Sequence, residues 1–402
     1  MLPRTFLGCA LLASLVVAMH DSATAKKVVI TVEKPAAVSP ATAKPPFSGT
    51  RAAVDVAILL DTSNSMDGLI SQAKGQLWTI VQQFAKAQKN GQTPILRVAL
   101  FEYGNTNLPA AEGYIRQVVP LTDDLDKLSE ALFALKTSGG DEYCGQVIDE
   151  ALTRLDWSKE TNGYKALFVA GNEPFTQGSV DYRESCKRAI EMGVIVNTIH
   201  CGAHQTGVDG KWRHGAQLAE GEFFNIDQDR KIVHIDCPQD EIIIKLNAKL
   251  NKTYLWYGAK EVRSKFARNQ LAQDSNAALE SESVIVTRAA TKAGAAYKNF
   301  GRCVVDTFIE DADVLTKVKE EDLPEVLQKL DADKREAYVK DMLAKRTDLQ
   351  QQIGKLAAER ESHLNKERTR LAAAAGAATL GDAVVMAIQK QLVASGFETD
   401  IE

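Results

Sequence analysis

The sequence predicts a doubly wound, mostly parallel α/β fold, with a helical C-terminal region. Three observations predict it. Strand-like runs such as Ile58-Leu59-Leu60 and Ala166-Leu167-Phe168-Val169-Ala170 are continuously apolar, the pattern of strands covered by helices on both faces. Amphipathic stretches alternate with these runs at the spacing of right-handed β-α-β crossovers. Beyond residue 257 the strand signals largely disappear, and residues 259–298 are rich in Ala, Lys, Gln and Asn.

The elements follow in order. Residues 54–60 read as a buried strand, and 69–87 as a helix with Leu69, Leu77, Ile80, Val81 and Phe84 on one side. Strands are expected at 95–103 and 114–119, then helices at 124–135 and 145–155. The series continues with strand 165–170, helix 180–192, strand 194–201 and helix 238–250. Ligands of such sheets bind outside the carboxyl ends of the strands, so that edge is where function is sought. Residues 259–298 predict two helices broken near Ser281. From Leu323-Pro324 to Leu371 charged helix formers dominate, with Met342, Leu349, Ile353 and Leu356 at heptad-like spacing interrupted by Arg360 and His363. That stripe fits either pairing with a second chain or a helical hairpin within one chain. The charged run 355–370 mixes both signs, which predicts a solvated helix face. After a low-complexity stretch at 372–379, residues 382–395 predict a short helix with Val385, Ile388 and Leu392 aligned, ended by Gly396.

The N-terminus reads as a targeting segment. Arg4 precedes an apolar run over 6–19, and Ala23-Thr24-Ala25 offers small residues at a cleavage point, the order of a secretory signal peptide. The run is shorter than the ~20 residues a spanning helix needs. No later stretch is long and apolar enough to span a bilayer, so an exported chain, periplasmic or secreted, is expected. Residues 26–50 carry Pro35, Pro40, Pro45 and Pro46 among Ala, Lys and Ser, as a semi-extended linker does. The expected organisation is a signal peptide at 1–25, a linker at 26–50, an α/β domain at 51–257, a helical extension at 258–310, a charged helical region at 311–371 and a terminal segment at 372–402.

Composition excludes one class of function. The 402 residues carry a net charge of −5, and no basic face is concentrated enough to argue for nucleic acid. Of six cysteines, Cys9 lies in the targeting segment, leaving Cys144, Cys186, Cys201, Cys237 and Cys303. In an oxidising compartment that odd number predicts at least one disulfide and one leftover thiol. No C-x-x-C occurs, so no zinc ribbon or thioredoxin-like site is encoded.

The sharpest motif is Asp61-Thr62-Ser63-Asn64-Ser65-Met66 at the end of the first strand. Asp-x-Ser-x-Ser at a strand's carboxyl edge presents one carboxylate and two hydroxyls on a single turn. Such small oxygen donors suit a hard dication, Mg²⁺ or Mn²⁺. As a mere helix cap the same residues would carry no ligand. Placed between a buried strand and a long amphipathic helix, the motif resembles the metal-ion-dependent adhesion site of the von Willebrand factor type A domain, over residues 51–257, about half of the chain.

That resemblance implies a binding module whose cation is completed by a Thr on a second loop, an Asp on a third, and an acidic residue of a partner protein. Here the second loop is Thr137-Ser138-Gly139-Gly140-Asp141-Glu142-Tyr143-Cys144-Gly145, with Asp141 where the family has Thr. The third loop is Ala170-Gly171-Asn172-Glu173-Pro174, with Gly171 where the family often has Asp, leaving Asn172 or Glu173 as substitutes. The expected ligands are therefore Asp61, Ser63, Ser65, Asp141 and, more weakly, Asn172. Together with Asn197-Thr198-Ile199-His200-Cys201-Gly202 these segments are similar to a bacterial exported subgroup of the family.

The expected function is non-enzymatic adhesion or binding through that cation. The competing reading is a metal-independent scaffold that assembles or self-associates through its C-terminal helices. A third reading, a thiol enzyme using Cys144 with His200 or His204, lacks an assignable orienting carboxylate. His204, Asp209, His214 and Asp227 match no metal-ligand spacing. Trp212, Tyr254, Trp256 and Tyr257 are expected to pack in the core or against loops.

Overall fold

The structure, a computed structural model, describes residues 51–160, 162–227, 235–372 and 380–399. The expected signal peptide and linker lie outside the described residues. Within them, no helix is long and apolar enough to cross a membrane.

Six strands form one sheet: β1 (Ala53–Asp61), β2 (Ile95–Tyr103), β3 (Ile115–Thr122), β4 (Tyr164–Gly171), β5 (Ile195–Cys201) and β6 (Phe223–Ile226). Their order is β3-β2-β1-β4-β5-β6, with only β3 antiparallel to its neighbour. This is the mostly parallel, doubly wound sheet that the continuous apolar runs imply. The register places Asp61 opposite Tyr103, and Leu60 opposite Ala170. Three neighbouring strands thus end together, at Asp61, Tyr103 and Gly171.

Each face of the sheet has its own core. Ala57, Leu59, Phe101 and Val169 pack beneath α3 (Cys144–Arg154), α4 (Tyr182–Glu191) and the short α6 (Trp212–Leu218). Val56, Leu60, Leu100 and Phe168 face α1 (Asp67–Lys86), α2 (Leu125–Ala134) and the terminal helix α14 (Leu380–Ala394). Two features escaped the sequence reading. Strand β6 has only four residues, and the Gly-rich segment after β5 holds α6 and another short helix, α5 (His204–Asp209).

The C-terminal helices add a layer on the second face. Helices α8 (Lys260–Glu280) and α9 (Glu282–Ala293) break at Ser281, whose hydroxyl accepts from the Val284 N–H and caps α9. Helix α13 (Ala332–Ala372) crosses α7 (Asp240–Asn251), α9 and α10 (Val304–Glu310). Between α10 and α13 lie α11 (Val314–Lys317) and α12 (Glu325–Gln328). The heptad-like stripe is consumed inside the chain. Met342 and Ile353 are buried, and Leu349 and Leu356 pack against the same core. The charged run is solvated as expected at Lys355, Glu359, Glu361 and Lys366, but Arg360 is buried on that seam and donates to Asp240 at 2.7 Å.

Buried ion pairs join the layers. Arg288, with no exposed surface, bridges Asp126 at 2.8 Å and Asp274 at 2.6 Å and lies over the Trp78 ring. Lys292 reaches Asp274 at 3.1 Å. Arg346 pairs with Asp306 at 2.8 Å and stacks 4.1 Å from the centre of the Tyr254 ring. Removing one partner of such a pair strands an uncompensated charge, so each geometry is held tightly. The described residues form one compact unit.

Helix α14 returns to the sheet after this excursion. Gln391 accepts from the Tyr164 hydroxyl at 2.7 Å. Past the helix, Gly396 takes φ = +77°, the left-handed conformation in which glycine escapes the Cβ penalty. The chain then pairs Glu398 with Gln88 through two backbone hydrogen bonds.

Candidate metal centre

The site begins with β1. Asp61 is fully buried at the strand end, and its Oδ1 accepts from the Ser63 N–H at 2.7 Å. That turn points the two serines the same way, with Ser63 Oγ and Ser65 Oγ 3.2 Å apart. Backbone bonds fix the surroundings: Thr62 N–H donates to the Tyr103 carbonyl, and Ser138 N–H to the Thr62 carbonyl, both at 2.9 Å. Thr137 on the second loop donates to Asp67 at 2.5 Å. A Cβ on Gly140 would meet the Gly104 carbonyl oxygen at 2.5 Å, so only glycine lets the second loop come this close.

The structure brings four of the five expected ligands together. Asn172 on the third loop donates through Nδ2 to Ser65 Oγ at 3.3 Å, which ties it to Ser63 and so to Asp61. Asp141 is placed differently. It is exposed, and its carboxylate accepts from the Tyr143 hydroxyl at 3.1 Å. The carboxylate turned inward on that loop belongs to its neighbour Glu142, which is 3% exposed. Glu142 Oε2 accepts from the Glu173 N–H at 3.3 Å, and Glu142 N–H donates to Gln177 Oε1 at 2.6 Å. A Cβ on Gly104 would stand 2.8 Å from both Asp61 Oδ1 and Glu142 Cγ, so the two acidic side chains lie side by side against that glycine.

The electrostatics of the pair are unbalanced. Burial pushes the Asp61 carboxyl well up, and the adjoining Glu142 adds to the shift. Burial also raises Glu142, against the lowering pull of its hydrogen bonds. Asp61 Oδ2 and Asn172 Oδ1 are buried acceptors that receive no hydrogen bond. Such atoms normally cost about 1–3 kcal/mol each when left without a partner. Two carboxylates, two hydroxyls and an amide oxygen form a donor set that fits a hard dication. Asp61, Ser63, Ser65 and Asn172 could hold one.

The remaining candidates do not converge. Among the described residues no cluster of three or more His, Cys, Asp and Glu side chains could hold a metal. His204 meets Arg213, Asp209 meets Gln205, and His214 meets the Tyr182 hydroxyl. Cys144 Sγ lies 3.7 Å from the Tyr103 hydroxyl, whereas His200 Nδ1 bonds Asn225 at 2.9 Å. Burial pushes the Cys144 thiol far up, opposite to the shift that activates a nucleophilic cysteine. The expected disulfide is not formed: all five described cysteines are free and buried. Trp212 and Tyr254 are buried as expected.

Glu142 is the residue that the sequence reading missed. Its signal was weak, because nothing in Gly139-Gly140-Asp141-Glu142 says which acidic residue turns inward.

Comparisons with known proteins fall on the α/β part. Residues 55–217 match the family model of the von Willebrand factor type A domain. Among solved structures, proximal thread matrix protein 1 from the mussel byssus, with a zinc-occupied MIDAS motif, is 15% identical. That match covers 45% of this chain and 43% of that one at a TM-score of 0.35, so it spans less than half of that protein. BatB from Bacteroides thetaiotaomicron is 18% identical, covering 44% of this chain and 91% of that one at 0.33. A von Willebrand factor type A protein from Catenulispora acidiphila is 17% identical, covering 44% and 39% at 0.32. No curated protein matches the chain.

Proposed function

Since residues 55–217 carry a von Willebrand factor type A domain, we propose that the chain is an exported, non-enzymatic binding module that engages a partner protein through a divalent cation, Mg²⁺ or Mn²⁺, held at Asp61, Ser63, Ser65 and Asn172. The carrying observation is the pair of buried acceptors, Asp61 Oδ2 and Asn172 Oδ1, that have no donor. A cation between them would satisfy both and offset the buried negative charge. A coordination position turned to solvent would take an oxygen donor from the partner, such as an acidic side chain. Export rests on the charged, apolar and small-residue order of residues 1–25. Asp141 is left out of the ligand set because its carboxylate is exposed and engaged by Tyr143.

The scaffold reading has less to rest on. Its proposed assembly surface, the stripe through Met342 and Ile353, is already buried within the chain. Calorimetric titration of Mg²⁺ and Mn²⁺ into the chain lacking residues 1–25, beside the Asp61→Ala variant, tests the proposal. Saturable binding that the variant loses is expected. Heat-silent titrations of both proteins would sink the cation and favour a metal-independent module.

A further inference from the structure

We infer that Glu142 supplies the second carboxylate of the cation site and that the Tyr103 hydroxyl keeps a carboxylate off the third loop. This rests on the cation reading above and assigns the residues that shape it.

The argument starts at Gly171. Its backbone is not in the left-handed region, so conformation does not require glycine there; space does. A Cβ at this position would lie 2.5 Å from Tyr103 Oη and 3.2 Å from Asp61 Oδ2. Tyr103 cannot easily yield, because it is fully buried and its hydroxyl donates to the Ala170 carbonyl at 3.0 Å. An aspartate at 171 would force the phenol out of a close-packed core. The third loop therefore contributes an amide, Asn172, and no buried carboxylate.

Glu142 fills the deficit from the second loop. Its side chain is buried beside Asp61, reachable only because Gly104 presents no Cβ between them. A buried acid kept beside another acid, next to an oxygen that lacks a donor, is what a dication site looks like without its ion. The neighbouring Asp141, exposed and hydrogen-bonded to Tyr143, has no such geometry.

The test is Mn²⁺ titration by calorimetry into the full chain and its variants, with circular-dichroism melts to establish that each is folded. Glu142→Gln is expected to weaken Mn²⁺ binding by at least about tenfold, and Asp141→Asn by less than about threefold. Adding Tyr103→Phe and Gly171→Asp to Glu142→Gln opens the third-loop position and refills it, and is expected to recover most of the lost affinity. If Asp61→Ala abolishes binding while Glu142→Gln leaves it unchanged, the cation reading stands and this assignment falls. A loss in Asp141→Asn instead would move the ligand to Asp141. A triple variant as weak as Glu142→Gln alone would overturn the role of Tyr103. If wild type binds no Mn²⁺, both readings fail together.

Discussion

Gln391 and Asn197 exchange a reciprocal pair of amide hydrogen bonds, 3.1 and 2.7 Å long, across 194 residues of sequence. Gln391 belongs to the terminal helix, and Asn197 to the sheet strand β5. The pair therefore makes α14 part of the α/β unit, and a fragment ending near residue 257 would lack one of the three helices on that sheet face.

Substitutions in α14 should act as core mutations. Ile388 is fully buried against α1 and the sheet, so Ile388→Ala is expected to cost about 2–5 kcal/mol. Urea unfolding of the full chain measures it. A cost below about 0.5 kcal/mol, the size of an ordinary surface change, would mean that α14 is undocked in solution.

The Asp274 network should dominate acid stability of the helical layer. Burial alone would raise this carboxyl, but Arg288 and Lys292 outweigh it and hold it at about 2. A carboxyl depressed on folding stabilises fully above its ordinary value and loses that contribution as pH falls from about 4 toward 2. Asp274→Asn takes the paired carboxylate from Lys292 and leaves Arg288 with Asp126 alone, and is expected to cost about 3–5 kcal/mol at pH 7. Melting curves of both proteins between pH 2 and 7 should converge at the acid end; parallel curves would contradict the assignment.

Cation binding should appear as thermal stabilisation. At a concentration near 100 times its dissociation constant, an ion that binds only the folded chain adds about 2.7 kcal/mol. Scanning fluorimetry with Mg²⁺ against a chelator is expected to raise the melting temperature of wild type and to leave Asp61→Ala unmoved. An equal rise in both would place the ion elsewhere.

The thiols should be silent until the chain unfolds. Cys144, Cys186, Cys201, Cys237 and Cys303 are free and buried, and burial raises Cys186 to about 12. An aromatic disulfide reagent is expected to label none of the five rapidly in buffer and all of them in denaturant. Rapid native labelling of Cys144 would revive the thiol-enzyme reading.

How much was legible followed the range of the interactions. Strands and helices whose apolar pattern is local, such as 54–60 and the break at Ser281, stand close to their expected places. Strand β6 is too short to show a period. The choice between Asp141 and Glu142 depends on how Gly139 and Gly140 bend the second loop against Gly104, which no local pattern records. The exclusion at Gly171 depends on Tyr103, 68 positions earlier, whose hydroxyl reaches it only because the parallel register sets β1 between their strands. Arg360 read as an interruption of the apolar stripe because its partner Asp240, 120 residues away, is invisible to heptad spacing.

The placement of α14 also sets a timetable. A chain made from its N-terminus completes the six described strands by Ile226, yet α14, which shares a core with Val56, Leu60 and Phe168, arrives more than 150 residues later. Until then that face has α1 and α2 but lacks its third helix, and contacts so distant in sequence form slowly. Such an intermediate is aggregation-prone. The candidate cation site, built where β1, β2 and β4 end, draws on residues between 61 and 172 and is therefore made long before the helix that completes the cover of its sheet.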